Sequence, residues 1–421
     1  MIINNKKNKI ITGIDIGTTK IAIIIAEKTN DSINILGFGE SQSKGLRRGV
    51  VIDVNETASS IEKALNSAEE QANIEVQSAF IGITGEHVSG VNCTGSITIS
   101  NNEYMNPAGE KVTKNDIRKV LEHAQAINLN PARKILHTLS REFKIDGNKN
   151  IKNPEGLSGH RLEANVHLVT IARNIENDLK TCLDKVGIDF DGFVLEPLAS
   201  SYSVLDNNEK QLGVALIDIG GGTSDIIIYN NKSVLHTAAI PLGGKSITND
   251  IAYGLTITLE QAESLKCSHG LAKESLANNE DNIIIKGTNE REDIQISQKE
   301  LSSIIEARMT EIFHLAKSEI KKFDKDGKLN FGVVVTGGGS RLKNIEDLAL
   351  EVFELDIKKG KPNSINGIDD IINNPRYSTT IGLVQYAATN KPIQIKEEDE
   401  PDLIQMFKKS INKIMKLINL K

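Results

Sequence analysis

Residues able to hold a phosphate group and a divalent cation occur twice in this chain at one spacing. Ile11 to Ala26 reads ITGIDIGTTKIAIIIA: a β-branched run ends in Asp15, turns at Gly17-Thr18-Thr19 and resumes after Lys20. That pattern predicts a hairpin with a glycine turn and a carboxylate just before it. Val214 to Tyr229, VALIDIGGGTSDIIIY, repeats it 203 residues later, with Ile217-Asp218-Ile219-Gly220 aligning on Ile14-Asp15-Ile16-Gly17. Glycines such as Gly220, Gly221 and Gly222 let backbone N–H groups approach phosphate oxygens and form an anion-binding nest. Thr18, Thr19, Thr223 and Ser224 add hydroxyl donors. Asp15 and Asp218 would repel bare phosphates, and they make sense as organisers of a Mg²⁺ through its retained waters. Two such hairpins from opposed domains clamp the phosphates of one nucleotide across a cleft. One copy alone reads equally well as an ordinary β-turn, since Asp and Gly favour turns. The second copy makes the functional reading.

A third glycine turn follows a buried strand, Val333-Val334-Val335-Thr336, as Gly337-Gly338-Gly339-Ser340, with a helical stretch expected from Arg341 onward. Backbone without side chains there allows close approach by a flat ligand such as adenine or ribose. Neither a Walker A pattern nor GxGxxG occurs, and Gly244-Lys245-Ser246 has Ala239 at the glycine position a P-loop requires. The pattern therefore argues against a P-loop ATPase and a Rossmann dehydrogenase.

The end of the chain carries a different kind of chemistry. Lys396 to Asp402, KEEDEPD, reads as an acidic solvated spacer, and LIQMFKKSINKIMKLINLK follows it. At 100° per residue Leu403, Ile404, Met406, Phe407, Ile411, Ile414, Met415, Leu417 and Ile418 fall on one half of a helical wheel. Lys408, Lys409, Lys413 and Lys416 fall on the other half, with Leu420 and Ser410 misplaced. A basic amphipathic helix of 19 residues, ~28 Å long, lies in a bilayer interface with its apolar face below the headgroups. Each lysine adds about 1 kcal/mol on an anionic leaflet, less in high salt. The competing reading is a terminal helix packed on the protein's own core. The tail has no Trp or Arg, so Ile, Leu, Met and one Phe would take over the interfacial role.

These motifs need scaffolding, and the length supplies it: 421 residues exceed one core and imply two or more domains. Duplicated hairpins imply that two of them share a topology and face one another. With 39% hydrophobic and 25% charged residues the composition is that of a soluble globular protein. Met1 to Lys9 is polar without an apolar h-region, so no secretion signal is expected, and no apolar run is long enough to span a bilayer. Cys93, Cys182 and Cys267 are scattered and read as reduced thiols of a cytosolic protein, and the eight histidines show no metal-binding spacing. Net charge is −6, of which the tail contributes +5, leaving −11 on the body. A body that acidic is a poor nucleic-acid binder, whereas the tail seeks a negative surface.

Two phosphate hairpins and then a glycine-rich adenosine turn, in this order, resemble the superfamily of actin, sugar kinases and heat-shock chaperones. Within it the chain resembles the FtsA family of bacterial cell-division proteins over about Lys9 to Ala388, with a matching type of tail. The resemblance rests on Ser43–Val54 (SKGLRRGVVIDV), Asn153–Thr170 (NPEGLSGHRLEANVHLVT), Leu195–Ser201 (LEPLASS), Ile240–Ala252 (IPLGGKSITNDIA) and Ile305–Phe313 (IEARMTEIF). It implies an α/β, actin-like two-domain ATPase fold with an FtsA-type 1C subdomain and a C-terminal amphipathic helix. Subdomain 1A would take 9–85 and 168–208, 1C would take 86–167, 2A would take 209–244 and 308–365, and 2B would take 245–307. Residues 366–390 would return to 1A, 391–402 would be the acidic linker, and 403–421 the membrane helix. Strand-like Val91 to Ser100 and an amphipathic helix near Lys114 to Ala126 belong to the 1C segment.

The resemblance also implies roles. Gly17, Thr18, Thr19 and Lys20 would form the first phosphate loop, Gly220 to Thr223 the second, with Asp15 and Asp218 organising magnesium. Glu196 would position an attacking water, held rigidly before Pro197; the alternative is a helix-start carboxylate near a positive dipole. Gly243 and Gly244 would lie near the nucleotide, and Glu263 and Lys266 would touch ribose and adenine unless they are a surface i, i+3 pair. The implied protein binds ATP and Mg²⁺ with at most slow hydrolysis and receives the FtsZ C-terminal peptide on 2B. It self-assembles into filaments, meets other division proteins, and is peripheral on the cytoplasmic face of the membrane at the septum. The rival readings are a soluble actin-like scaffold of pilus assembly and a small-molecule kinase of the same superfamily.

Overall fold

The computed structural model describes residues 9–30, 32–99, 109–278, 282–287, 292–324 and 327–389. The spacer and the basic amphipathic segment, 391–421, lie outside the described residues. In the first half the main elements are β1 (Lys9–Ile16), β2 (Lys20–Lys28), β3 (Ile33–Gln42), α1 (Val54–Ala72), β4 (Ser78–Ile83), β5 (Ser89–Thr98), α2 (Lys114–Gln125), β6 (Arg133–Ile145), β7 (Asn148–Ile151), β8 (Arg161–Ala172), α3 (Arg173–Val186), β9 (Asp189–Leu195) and α4 (Glu196–Val204). The second half continues with α5 (Asn207–Leu212), β10 (Val214–Ile219), β11 (Ser224–Asn230), β12 (Ser233–Ile240), α6 (Gly244–Leu255), α7 (Leu259–His269), β13 (Asn282–Ile285), β14 (Ile294–Ser297), α8 (Gln298–Phe323), β15 (Val333–Thr336), α9 (Ile345–Phe353), β16 (Ile357–Lys359), α10 (Asp369–Ile372) and α11 (Ser378–Thr389).

Two five-stranded sheets carry the fold, and their topologies match. One runs β9-β4-β1-β2-β3 and the other β16-β15-β10-β11-β12. Each is an antiparallel meander opened by a glycine hairpin, with two parallel strands added on the far side of the first strand. The hairpin strands are almost wholly buried. Their continuous Ile and Val runs suit strands covered on both faces.

The covering layers follow. Helices α1 and α3 pack under the first sheet, with Ile61, Leu65, Leu179 and Leu183 meeting Ile21, Ile23 and Ile81. Helices α4 and α11 lie between the sheets, where Leu198, Ile381 and Val384 join Ile24 of one sheet to Leu216 and Val334 of the other. A Cβ on Gly382 would stand 1.9 Å from the Ala199 carbonyl oxygen. Only glycine permits that helix–helix approach. Helices α6, α8 and α9 cover the outer face of the second sheet. Strands β7-β6-β8-β5 make a separate antiparallel sheet against α2, with a core of its own.

Four of the expected subdomain boundaries fall inside continuous elements: 167/168 in β8, 208/209 in α5, 244/245 in α6 and 307/308 in α8. The helix expected directly after the third glycine turn is instead a single 3₁₀ turn, Gly338–Arg341, and α9 starts at Ile345. Positive φ at Gly337 and Asn344 breaks the regular path on either side.

Candidate functional site: a cleft between two glycine hairpins

The two hairpin turns close in the same way, with Gly17 N–H donating to Lys20 O at 3.0 Å and Gly220 N–H to Thr223 O at 2.9 Å. They meet tip to tip: a Cβ on Gly221 would stand 2.5 Å from the Thr19 side chain, and one on Gly222 would stand 2.4 Å from Thr18 Oγ1. Among the described residues the amides of Thr18, Thr19, Gly221 and Gly222 donate to no backbone carbonyl. Unsatisfied donors grouped on bare loops favour an anion.

Around these loops opens a cleft of about 890 Å³. Its lining brings together Asp15, Gly17, Thr18, Thr19, Lys20, Glu196, Asp218, Gly220, Gly221, Gly222, Thr223, Gly244, Glu263, Lys266, Gly337, Gly338 and Gly339. Two expected site residues are not in the lining. Gly243 is packed behind the second hairpin, where a Cβ would stand 2.6 Å from Gly220 O. Ser340 is fully buried, and its hydroxyl donates to Gly337 O at 2.8 Å, so it shapes the third turn from behind.

The cleft floor is acidic. Lys20 Nζ is bonded to Asp15 Oδ2 at 2.5 Å, and Thr380 Oγ1 donates to the same oxygen at 3.3 Å. Asp218 accepts from Ser200 Oγ and, at 3.0 Å, from Thr379 Oγ1. Asp225 stands opposite Asp218 in the β10–β11 register and accepts from Thr84 Oγ1 and, at 2.9 Å, from Thr223 Oγ1. Glu196, the first residue of α4, has no hydrogen-bond donor among the described residues. Burial, and then the charges of Asp15, Asp225 and Asp218, push its carboxyl well above the usual range, with Lys20 pulling the other way. Burial chiefly raises Asp218 as well, against its two hydroxyl donors. Asp225 is pushed up to about 7 by burial, with Asp218 adding to the effect and Thr84 and Thr223 opposing it.

Four acidic side chains stand with one lysine on the cleft floor, three of them raised towards the protonated form, and a divalent cation would favour their charged forms. Among the described residues no three His, Cys, Asp or Glu side chains form a ready cage. The donor set therefore fits a hydrated Mg²⁺ held through its waters.

The opposite end of the cleft is built by α6, α7 and the third glycine turn. Lys266 Nζ donates to Gly244 O at 3.0 Å, Thr248 Oγ1 at 2.8 Å and Glu263 Oε2 at 2.6 Å. Glu263 and Lys266 are thus an i, i+3 pair, and it points into the cleft. Desolvation acts against the Glu263 carboxylate, but Lys266 and Thr248 hold it below its usual range. Gly337 has φ +84°, and a Cβ there would stand 2.2 Å from Asp218 Oδ1.

Thr84, Asp225, Thr379, Arg341, Lys343 and Arg376 also line the cleft, and sequence reasoning missed them. For Asp225 a signal existed: it is a charged residue in an otherwise apolar strand, where the aligned position of the first hairpin holds Ala22.

Comparisons with known proteins agree with this geometry. A family model described as "Cell division protein FtsA" matches residues 215–382, and one described as "SHS2 domain inserted in FTSA" matches 85–170. The cell-division protein FtsA of Pseudomonas aeruginosa is 38% identical over 382 residues, covering 90% of each chain. Among solved structures, a PilM-PilN type IV pilus biogenesis complex superposes with TM-score 0.64 at 12% identity, covering 90% of this chain and 99% of that one. MreB5 of Spiroplasma citri bound to ADP gives 0.56 at 14% identity, covering 90% and 97%. The structural likenesses establish the actin-like fold, and the sequence match over nine-tenths of both chains establishes descent: the chain belongs to the FtsA family of cell-division proteins.

Proposed function

We propose that the chain is an ATP- and Mg²⁺-binding, actin-like division protein that links FtsZ to the inner face of the cytoplasmic membrane and assembles into filaments. The observation that carries the nucleotide part is the cleft itself: two tip-to-tip glycine hairpins with free amides above four carboxylates and one lysine. The free amides and Thr18 and Thr19 would take the phosphates. Asp15 and Asp218, with Asp225 beside them, would hold a hydrated Mg²⁺, which supplies charge neutralisation to the phosphates when bound. Gly337–Gly339, Glu263 and Lys266 would take the nucleoside; MreB5, with the same fold, is seen bound to ADP.

Glu196 lies on the cleft floor where it could order a water, but burial, and then the charges of Asp15, Asp225 and Asp218, shift its carboxyl towards the protonated form, which is a poor base. Hydrolysis is accordingly slow, and closing the cleft is the main use of the nucleotide. In this reading the segment 245–307 receives the FtsZ C-terminal peptide, and 403–421 is the membrane anchor. Among the described residues no helix is long and apolar enough to cross a membrane. Descent from the FtsA family favours this reading over a pilus scaffold, whose likeness here is one of fold.

The test is cosedimentation with anionic liposomes in MgATP, comparing the full chain with one ending at Asp402, followed by titration with the FtsZ peptide. Pelleting of the full chain alone, with peptide binding retained by both, is expected. If both chains stay in the supernatant, the tail is not the anchor and the tethering reading fails.

A further inference from the structure

Beside the nucleotide cleft lies a second, shallower one of about 560 Å³. Part of its lining is basic: Arg341, just after the third glycine turn, and Lys359 and Lys361 at the end of β16. The rest of the lining includes Asp369 and Asp370 of α10, with Asn373 beyond. Arg341 lines both clefts. It meets the first one at the nucleoside end, near Gly339 and Cys267.

Among the described residues these three cations form no ion pair and no side-chain hydrogen bond. Partial burial, and then the charges of Lys361 and Arg341, hold the Lys359 ammonium below the usual lysine range, against the pull of Glu346. Three cations are therefore held together at a cleft without a direct ion pair, although Asp369 and Asp370 share the lining and Glu346 acts on Lys359 from outside it. An anion with several acceptor oxygens would meet Arg341 through a planar fork and the two lysines as point charges.

We propose that this second cleft is a phosphate subsite continuous with the nucleoside end of the first. It takes a phosphate carried on the ribose of a bound nucleotide, or the same anion free in solution. The inference rests on the nucleotide reading of the first cleft. The 5′-phosphates go to the hairpin loops at the other end, so a phosphate reaching Arg341, Lys359 and Lys361 must leave from the sugar's other hydroxyls. Asp369 and Asp370, in the same lining, limit how much negative charge the subsite accepts.

The experiment is calorimetric titration of the full chain with ADP, with ADP carrying a 3′-phosphate, and with inorganic pyrophosphate in the presence of saturating ADP. The variants are Lys359→Gln with Lys361→Gln, and Asp369→Asn with Asp370→Asn. None of these four residues lines the nucleotide cleft. In the parent protein the 3′-phosphorylated nucleotide should bind about five- to tenfold more tightly than ADP, the size expected for charge-assisted contacts at a partly exposed site. The lysine pair should lose that advantage with ADP affinity unchanged, and the aspartate pair should enlarge it. Pyrophosphate binding that is lost in the lysine variant identifies the free anion as a further ligand; its absence confines the subsite to ribose-borne phosphate. Equal affinity for the two nucleotides in the parent, or an advantage that survives in the lysine variant, overturns the proposal. If neither nucleotide binds, the reading of the first cleft fails. Pyrophosphate alone then decides, supporting the subsite only if the lysine variant loses it.

Discussion

Asp218 and Asp225 face each other across an antiparallel pair, an arrangement in which like charges oppose folding. The Asp225 carboxyl, ordinarily at 3.8, is pushed up to about 7 in the folded protein. The folded state therefore holds a proton that the unfolded chain has released between those values. Stability from this group is complete below about pH 4 and is lost as pH rises towards 7. At 1.36 kcal/mol per pH unit, the loss over that interval is ~4 kcal/mol.

Asp225→Asn removes the charge and keeps the shape, and the amide can still meet the hydroxyls of Thr84 and Thr223. Part of the gain is offset because the neighbouring carboxyls already share the strain and one hydroxyl must turn round. The variant should therefore exceed the parent by ~1–3 kcal/mol at pH 8 and differ little at pH 5. Urea unfolding at pH 5, 6, 7 and 8, in chelator and without nucleotide, reads this directly. Adding MgATP should narrow the gap, because the parent carboxylates then gain a counter-charge. A stability difference that does not change with pH, or a variant weaker than the parent at pH 8, would refute the electrostatic account of the cleft floor.

Other substitutions probe other parts of the same site. Lys20→Met strands the buried Asp15 carboxylate and should cost ~3–5 kcal/mol in urea unfolding, most of it recovered when Asp15→Asn is added. Gly337→Ala forces a side chain onto φ +84° and against Asp218, so it should destabilise by ~2 kcal/mol or more and weaken nucleotide binding. At Gly338 the nearest atom to a new Cβ is Arg376 Cγ at 3.8 Å, so Gly338→Ala should leave the melting temperature near the parent's. Thr84→Val removes a donor that reaches Asp225 from the other sheet. It should push the Asp225 carboxyl higher still and steepen the loss of stability between pH 5 and 8.

What the sequence disclosed of this protein was mainly local. Both hairpins were legible because β-branched runs and a glycine turn lie within sixteen consecutive residues, and the duplicated sheet topology follows from their repetition. What surrounds the carboxylates was not legible. The donors to Asp218 come from Ser200 and Thr379, 18 and 161 residues away, and of the two donors to Asp225, Thr84 comes from 141 residues away. Serine and threonine are too common for type alone to single out three of them; the packing of α4 and α11 between the sheets brings in Ser200 and Thr379, and the end of β4 brings in Thr84. Residue type also could not tell which glycines face the ligand, so Gly243 and Ser340 were grouped with neighbours they support from behind. Asp225 is the instructive case, because its signal was present in the alignment of the hairpins and concerned stability. A charge opposite a charge in a buried strand works against the fold, and it persists only where something compensates it: a retained proton here, or the cation of the proposed function.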